Sequence, residues 1–226
     1  MIRVARVTLW VFAFAVAFAA ARYFVTPPPL MEPPLSFANP AADAGANLAP
    51  TLYRSHRILF LMHVGGGLVA LVVGLFQFIG RLRDARPNIH RALGFTYLTA
   101  VLAGAAAGLP LSLLILDAVP PAFRTDFFPM AGSFFLLAIA WGTTSAIALG
   151  RARARRFREH RAWMMRSYSL TFAAVTVRLV ATILSLLTGD VVFAVNSGVL
   201  SWPLNLVVAE WLIRRNPQPA LAGAVA

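Results

Sequence analysis

Two histidines occupy equivalent positions in a repeated arginine-rich cassette. Residues 80–92 read GRLRDARPNIHRA and residues 150–162 read GRARARRFREHRA, so His90 and His160 lie 70 residues apart. The repeat predicts that both histidines lie at the same depth on two related helices. Two neutral imidazoles on facing helices can ligate a haem iron or another transition metal. We therefore predict His90 and His160 as metal ligands of a b-type haem; the alternative is that the His-Arg pairs only anchor their helices at the lipid headgroups.

The residues that follow each histidine on its helical face are mostly small or polar, as expected for a face that lines the interior of a bundle. Tyr97 is the largest of these side chains on the His90 helix, and we predict it at the cofactor site. The two sets are Gly94, Tyr97, Val101, Ala105 and Gly108 after His90, and Met164, Ser167, Thr171 and Arg178 after His160.

A third histidine lies inside an apolar segment. His63 comes about two turns after this segment begins at Arg57, and an ionisable side chain at such a depth marks a functional position by default. Gln77 lies on the same helical face, nearer to the first cassette, and we predict it beside the cofactor. We predict that His63 serves a haem, a quinone or a proton relay; the alternative is a hydrogen bond that only holds two helices together.

Arg178 also lies inside an apolar segment, where a guanidinium is costly and should face the bundle interior with a partner. It follows His160 by 18 residues, which is five helical turns and predicts the same face. The repeat-equivalent residue is Gly108, which predicts room for the guanidinium. We predict that Arg178 anchors a propionate, a quinone or another anionic group; the alternative is an arginine bonded to backbone carbonyls.

Six hydrophobic segments would position these residues. The chain is 59% hydrophobic and 12% charged, with a mean hydropathy of +0.74, and its long apolar runs can cross a bilayer core of ~30 Å as helices. The prediction is an all-α integral membrane helical bundle of six transmembrane helices, in which a duplicated two-helix hairpin, residues 57–116 and 127–187, forms a four-helix core. The predicted spans are residues 4–25, 57–80, 92–116, 127–150, 162–187 and 191–213.

The distribution of arginine predicts the orientation. All 20 basic residues are arginine, and the net charge is +12. Fifteen arginines fall on one side of the predicted spans and four on the other, so both termini and both cassettes are expected in the cytoplasm of a bacterial inner-membrane protein. The bilayer explains this charge, and we expect no nucleic acid as a partner. Cysteine is absent, which excludes disulfides and thiolate metal ligands.

The segments outside the core carry weaker signals. Residues 1–25 predict a retained helix rather than a cleaved signal peptide, because the apolar run continues through Val25. Residues 26–56 contain seven prolines and predict an irregular outer loop. Residues 216–226 are expected to form a cytoplasmic tail.

The predicted sixth span contains polar residues of its own. Pro203 predicts a kink, and Asn205 is expected to bond the carbonyl that the proline frees. Glu210 is expected to pair with an arginine of a cassette. We predict a structural role for this carboxylate.

Five motifs are spread over residues 63–214. They are GLFQF at 74–78, HRALGFTY at 90–97, HRAWMMRSYSLT at 160–171, Arg178, and WPLNLVVAEW at 202–211. Together they resemble a bacterial family of predicted membrane proteins, domain of unknown function 2306, which implies a fold and a motif set without an activity. The chain is also similar, more weakly, to the cytochrome b561-type four-helix haem core. That likeness implies haem-ligating histidines on the core helices, where His90, His160 and His63 would match; the fourth span has no histidine, so at most one bis-histidine haem is implied.

The leading functional hypothesis is a membrane redox protein that binds one b-type haem or a quinone. His90 and His160 would be axial ligands, and Arg178 or Gln77 would lie beside the cofactor. The alternative is a non-enzymatic assembly factor or a small-solute permease with a polar intramembrane cavity. In it, buried polar residues would line the cavity or hold helices together; they are His63, Gln77, Arg178 and Asn205. The sequence has no HExxH, P-loop or GxSxG motif that would indicate a hydrolase or nucleotide-binding enzyme.

Overall fold

The computed structural model describes residues 2–25, 40–188 and 196–215, and within these ranges it contains helices and turns but no strand. The all-α class is therefore confirmed. The helices are α1 (Ile2–Val25), α2 (Pro40–Ser55), α3 (Arg57–Gln77), α4 (Gly80–Ala85), α5 (Pro87–Ala118), a 3₁₀ turn (Pro121–Phe123), α6 (Arg124–Arg153), α7 (Phe157–Thr171), α8 (Ala173–Thr188) and α9 (Gly198–Arg215).

Three helical segments of the described chain are long and apolar enough to cross a membrane on their own. They are α3, α5 and the segment Pro121–Arg153, with mean hydropathies of 2.3, 2.0 and 1.6. The α7–α8 pair passes the same criterion as one span bent by 41°. These four correspond to the predicted spans 57–80, 92–116, 127–150 and 162–187, and they support a membrane location. Residues 191–195 of the predicted sixth span lie outside the described residues.

The bend between α7 and α8 lies at Phe172, where the sequence has no proline. Thr171 Oγ1 donates to the Ser167 carbonyl oxygen at 3.1 Å. Beyond it, the Val175 amide reaches back only three residues, to the Phe172 carbonyl oxygen (2.9 Å). Hydroxyl bonds to the helix backbone and a tightened turn both bend a helix. The axis of this span therefore changes direction at Phe172.

Close contacts between small residues hold the central helices together. Helix α5 packs against α3 on one side and α6 on the other, α6 packs against α7, and α7 touches α3. At the α3–α5 contact, a Cβ atom built on Gly66 would lie 2.5 Å from the Ala100 carbonyl oxygen and 2.9 Å from the Gly104 Cα. Small residues allow helix backbones to approach this closely in lipid. The contact brings α3 against the face of α5 that follows His90.

Each cassette leads directly into a helix. In the first, the chain turns at Phe78 and Ile79, forms α4, and enters α5 at Pro87, a favoured residue for the first helical position. The second turns at residues 154–156, where Arg155 has a φ of 58°, and enters α7. Both helices begin five residues before the spans predicted at 92 and 162. His90 and His160 are each the fourth residue of their helix, so their local positions are equivalent, as the repeat predicted.

The prediction of an irregular loop over residues 26–56 is wrong for Pro40–Ser55, which forms α2. Most prolines of the loop precede residue 40, Pro40 starts the helix, and one interior proline remains. The apolar face of α2, with Leu52 and Tyr53, packs against Phe60 and Ile115. This burial stabilises the helix. Residues 26–39 and the predicted tail, 216–226, lie outside the described residues.

The contact between α3 and α5 predicts that Gly66 tolerates no side chain. Gly66→Ala would place a methyl group against the Ala100 carbonyl oxygen, and overpacking of this kind costs about 1–3 kcal/mol. Gly67→Ala is the matched control, since a Cβ there meets nothing within 4 Å and alanine favours a helix over glycine. In thermal unfolding of the detergent-solubilised protein, we expect Gly66→Ala to melt below the wild type and Gly67→Ala at or above it. Equal melting temperatures for the two variants would contradict this packing.

Candidate functional site

The two cassette histidines lie near each other, with different hydrogen bonding. The His160 Nδ1 donates to the Ala148 carbonyl oxygen at 2.8 Å, because a carbonyl can only accept; this leaves the Nε2 lone pair available. The His90 Nδ1 is buried and has no hydrogen-bond partner among the described residues. The two imidazoles are close enough to interact electrostatically. The structure therefore brings together the pair predicted as metal ligands.

Gln77 reaches the same place from α3. Its Nε2 donates to the His90 carbonyl oxygen at 3.4 Å, and its Oε1 would be 3.4 Å from a Cβ on Gly94. The amide therefore contacts the backbone of the α5 first turns rather than the imidazole of His90. The absence of a larger residue at Gly94 leaves space for it.

The faces below the histidines meet in a buried hydrogen-bonded cluster, which we call the hydroxyl cluster. The Tyr97 hydroxyl lies 2.7 Å from Ser167 Oγ and 2.9 Å from Thr171 Oγ1. From α6, Trp141 Nε1 donates to Thr171 Oγ1 at 2.8 Å, and Ser145 Oγ lies 2.6 Å from Ser167 Oγ. Tyr97, Ser145 and Ser167 have no exposed surface. The predicted inward orientation is confirmed for Tyr97, Ser167 and Thr171, and α5, α6 and α7 are joined by polar groups that satisfy one another.

A porphyrin between His90 and His160 would have to extend in one of two directions. Toward the core, the bonds of Tyr97 to Ser167 and Thr171 close the space between α5 and α7. Toward the cassettes, it would lie among exposed arginine side chains. A cleft of about 890 Å³ between α3, α7 and α9 has no histidine in its lining. The donor atoms thus suit a metal, but the packing around them does not fit an enclosed b-type haem, and haem ligation by these residues stays a prediction.

The described part of the chain contains no group of three or more His, Asp or Glu side chains arranged to bind a metal ion. The carboxylates of both cassettes are paired with arginine. Arg83 donates to both oxygens of Asp84 at 2.8 and 3.4 Å, and Arg151 lies 3.1 Å from Glu159. The contact with Arg83 holds the pKa of Asp84 below its ordinary value.

His63 is anchored to α5 through one nitrogen. Its Nδ1 donates to the Gly104 carbonyl oxygen at 2.9 Å, and its ring lies against Gly108, where a Cβ would be 2.9 Å from the Nδ1. The room predicted at Gly108 for the Arg178 guanidinium is therefore used by His63. The side chain of His63 is nevertheless exposed, and the bond through Nδ1 leaves the lone pair on Nε2 of the neutral ring.

The prediction that Arg178 is buried on the face of His160 is wrong, because the bend at Phe172 interrupts the helical register between them. The Arg178 side chain is exposed, and its Nη1 donates to the Ala174 carbonyl oxygen one turn earlier. Its guanidinium still lies close enough to the His63 imidazole for the two to interact electrostatically. His63 and Arg178 therefore form a second group of predicted residues, separate from the His90–His160 pair.

The polar residues of α9 have hydrogen-bond partners that differ from the predicted ones. Asn205 Nδ2 donates to the Ser169 carbonyl (3.1 Å), and its Oδ1 accepts from Thr176 (3.0 Å), so it does not serve the carbonyl freed by Pro203. Glu210 pairs with Arg166 of α7, which lies outside both cassettes, through contacts of 2.5 and 3.0 Å. Both side chains tie α9 to the α7–α8 span.

Comparison with known proteins identifies the family of the chain. The sequence matches a family model described as Predicted membrane protein (DUF2306) over residues 60–213. The chain belongs to this family. No curated protein and no solved structure matches it. DUF2306 membership confirms the resemblance given by the five motifs and supports the membrane location, whereas the likeness to the cytochrome b561 type stays a prediction.

Two residues of the hydroxyl cluster were not predicted from the sequence. Trp141 and Ser145 of the hydroxyl cluster lie four residues apart on α6, in a span that was treated as apolar. The signal was present, since hydroxyl groups at helical spacing within a span often bond across helices. The cleft between α3, α7 and α9 was also missed, because its walls come from three separate parts of the chain.

Removing the hydroxyl of Tyr97 is expected to destabilise the bundle. Tyr97→Phe would leave Ser167 and Thr171 each short of a buried partner, at a cost of about 1–3 kcal/mol. Thr96→Val is the control, because the adjacent Thr96 is exposed and bonds only to the Ala92 carbonyl of its own helix. Thermal unfolding in detergent should show a lower melting temperature for Tyr97→Phe and little change for Thr96→Val. A Tyr97→Phe variant as stable as the wild type would show that the cluster does not support the fold.

Proposed function

We propose that this DUF2306 protein is a multi-pass protein of the bacterial inner membrane that takes part in redox chemistry by binding a quinone. It crosses the membrane six times, through α1, α3, α5, α6, the α7–α8 pair and α9, with both termini in the cytoplasm. Fifteen arginines on the cytoplasmic side against four outside support this orientation. The contacts of α5 with α3 and α6, and of α7 with α6 and α3, support a four-helix core.

The observation that carries the quinone proposal is the arrangement of His63 and Arg178. Because the Gly104 carbonyl takes the proton of His63 Nδ1, the neutral imidazole keeps an acceptor lone pair on Nε2. Arg178 offers only donors and lies within electrostatic range of this ring. An acceptor and a strong donor are thus presented together within the membrane on side chains that are both exposed.

A quinone headgroup has the complementary chemistry. A quinone carbonyl accepts a hydrogen bond from Arg178, and a quinol hydroxyl donates one to His63 Nε2. The oxidised and the reduced form can therefore each be held by one of the two side chains.

The alternatives, a small-solute permease or an assembly factor, are less well supported. A permease needs a polar path across the bundle, and in the inner half the hydroxyl cluster fills the space between α5, α6 and α7 with groups that bond one another. A purely structural His63 would account for its Nδ1 bond, but it leaves the exposed face of the ring and the proximity of Arg178 without a role.

The test is a quinone titration in nanodiscs made from synthetic, quinone-free lipid. Short-chain ubiquinone and menaquinone analogues are added, and binding is followed by quenching of tryptophan fluorescence. We expect saturable quenching in the wild type. His63→Ala should weaken binding of the quinol form about fivefold, the effect of one lost hydrogen bond, and Arg178→Gln should weaken binding of the quinone roughly tenfold, because its bond is charge-assisted.

Two neighbouring residues provide matched controls. His56→Ala and Arg57→Gln remove the same side-chain types at the junction of α2 and α3. His56 precedes His63 by seven residues. Both variants should bind quinone as the wild type does. The proposal fails if the wild type does not bind either quinone, or if the His63 and Arg178 variants bind as tightly as these controls.

Binding of a b-type haem by His90 and His160 is tested by a separate measurement. Protein expressed with a haem precursor is purified, and its visible absorption spectrum is recorded. Because the bonds of Tyr97 close the space between α5 and α7, we expect no Soret band. A Soret band that is lost in His160→Ala and kept in His56→Ala would overturn this expectation and identify haem as the cofactor.

A further inference from the structure

We infer that the cleft between α3, α7 and α9 binds one anionic phospholipid. The cleft has a volume of about 890 Å³, within the range of small-molecule sites in proteins. It is lined by the end of α3 with Phe78 and Ile79, where the chain turns into α4, by Tyr168 of α7 and Phe172 at the bend, and by α9. The site shares no residue with the His63–Arg178 pair, and it rests on the proposed topology only for its assignment to the cytoplasmic leaflet.

The interior of the cleft is suited to hydrocarbon. Most of its lining is apolar, and its uncharged polar side chains already have partners within the protein. Tyr168 donates to the Leu71 carbonyl at 3.1 Å, and Ser169 donates to the Arg166 carbonyl at 2.7 Å. The Asn205 amide bridges α7 and α8. A hydrophilic solute would therefore find few open hydrogen-bonding groups, whereas an acyl chain needs none.

The rim of the cleft is apolar and open toward the lipid. Phe78 is 48% exposed and Val208 is 49% exposed, on opposite sides of the opening. An opening of this kind admits a hydrocarbon chain from the side, directly from the bilayer. In water, the same exposed residues would form an unfavourable apolar patch.

One end of the cleft is positively charged. Arg81, in the first turn of α4, belongs to the lining, is exposed, and has no ion pair among the described residues. Arg214 and Arg215 follow the lining residue Leu212 at the same end of α9. The nearby carboxylate of Glu210 is neutralised by Arg166. The charge at this end therefore favours an anion.

An apolar groove that ends at an arginine is complementary to an anionic phospholipid. Its acyl chain lies along the groove and its phosphate bonds to Arg81, as basic pockets between helices on the cytoplasmic side hold lipid headgroups. A neutral quinone has no negative charge to pair with this arginine. The headgroup of a zwitterionic phospholipid also carries a positive charge, which the surrounding arginines repel.

The experiment compares dioleoyl phosphatidylglycerol with dioleoyl phosphatidylcholine, which have the same acyl chains. Native mass spectrometry of the full-length protein in detergent counts bound lipid, and titration gives relative affinities. We expect one molecule of phosphatidylglycerol to bind with an affinity at least about fivefold higher than that of phosphatidylcholine, since one basic residue near an anionic headgroup contributes about 1 kcal/mol. Arg81→Gln should abolish the preference, and Val208→Trp should lower the binding of both lipids by filling the groove.

Each variant has a control from the same element. Arg86→Gln removes another exposed arginine of the first cassette that is not part of the lining, and Val207→Trp enlarges an adjacent residue of α9 that is 65% exposed and also lies outside the lining. Both should bind lipid as the wild type does. The inference is overturned if the two lipids bind equally, if Arg86→Gln matches Arg81→Gln, or if Val207→Trp matches Val208→Trp.

The outcome is separable from that of the quinone proposal. His63→Ala should retain the phosphatidylglycerol preference, and Arg81→Gln should retain quinone quenching, because the two sites share no residues. Loss of lipid preference in His63→Ala would overturn the independence of the cleft. Loss of quinone binding in Val208→Trp, with His63→Ala unaffected, would place the quinone in the cleft and overturn both assignments.

Discussion

The hydroxyl of Tyr97 makes the interaction on which the packing of α5, α6 and α7 depends. In a bilayer, water does not solvate buried polar groups, so each must find a partner within the protein. Tyr97 meets this requirement for Ser167 and Thr171 together, and Ser145 and Trp141 complete the set from a third helix. The apolar surfaces of these helices resemble the lipid and give little preference for one packing over another. The hydrogen bonds provide that preference, and they also occupy the space that a cofactor would need below the cassettes.

The contact between α3 and α5 has a different basis at two neighbouring levels. At Gly66 the two backbones approach so closely that a Cβ atom would lie 2.5 Å from the Ala100 carbonyl oxygen and 2.9 Å from the Gly104 Cα. One turn further along α5, the space above Gly108 is filled by an imidazole from α3. The same run of small residues therefore serves both to join two helices and to seat an ionisable ring beside a carbonyl group. Its function cannot be separated from its packing.

Much of the core could be predicted because helical periodicity holds within a single helix. The inward faces of Tyr97 and Ser167 followed from their spacing after the cassette histidines. Arg178 was misplaced because the same spacing was extended across the bend at Phe172, and hydroxyl-induced bends leave a weaker sequence signal than proline does. Gly108 was predicted to leave room for the Arg178 guanidinium, and the His63 ring lies there instead. Which side chain fills that space depends on the register between α3 and α5, and the sequence of one helix does not specify this register.

The bend at Phe172 divides one span into two parts. Helix α7 is held by the hydroxyl cluster and is bonded to α9 through Arg166 and Ser169. Helix α8 is linked to the same α9 by the bond from Thr176 to Asn205. Helix α9 therefore bridges the bend, and a change in the bend angle would have to break or lengthen the bonds that α9 makes to one of the two parts. These bonds hold Arg178 of α8 at a fixed position relative to the hydroxyl cluster.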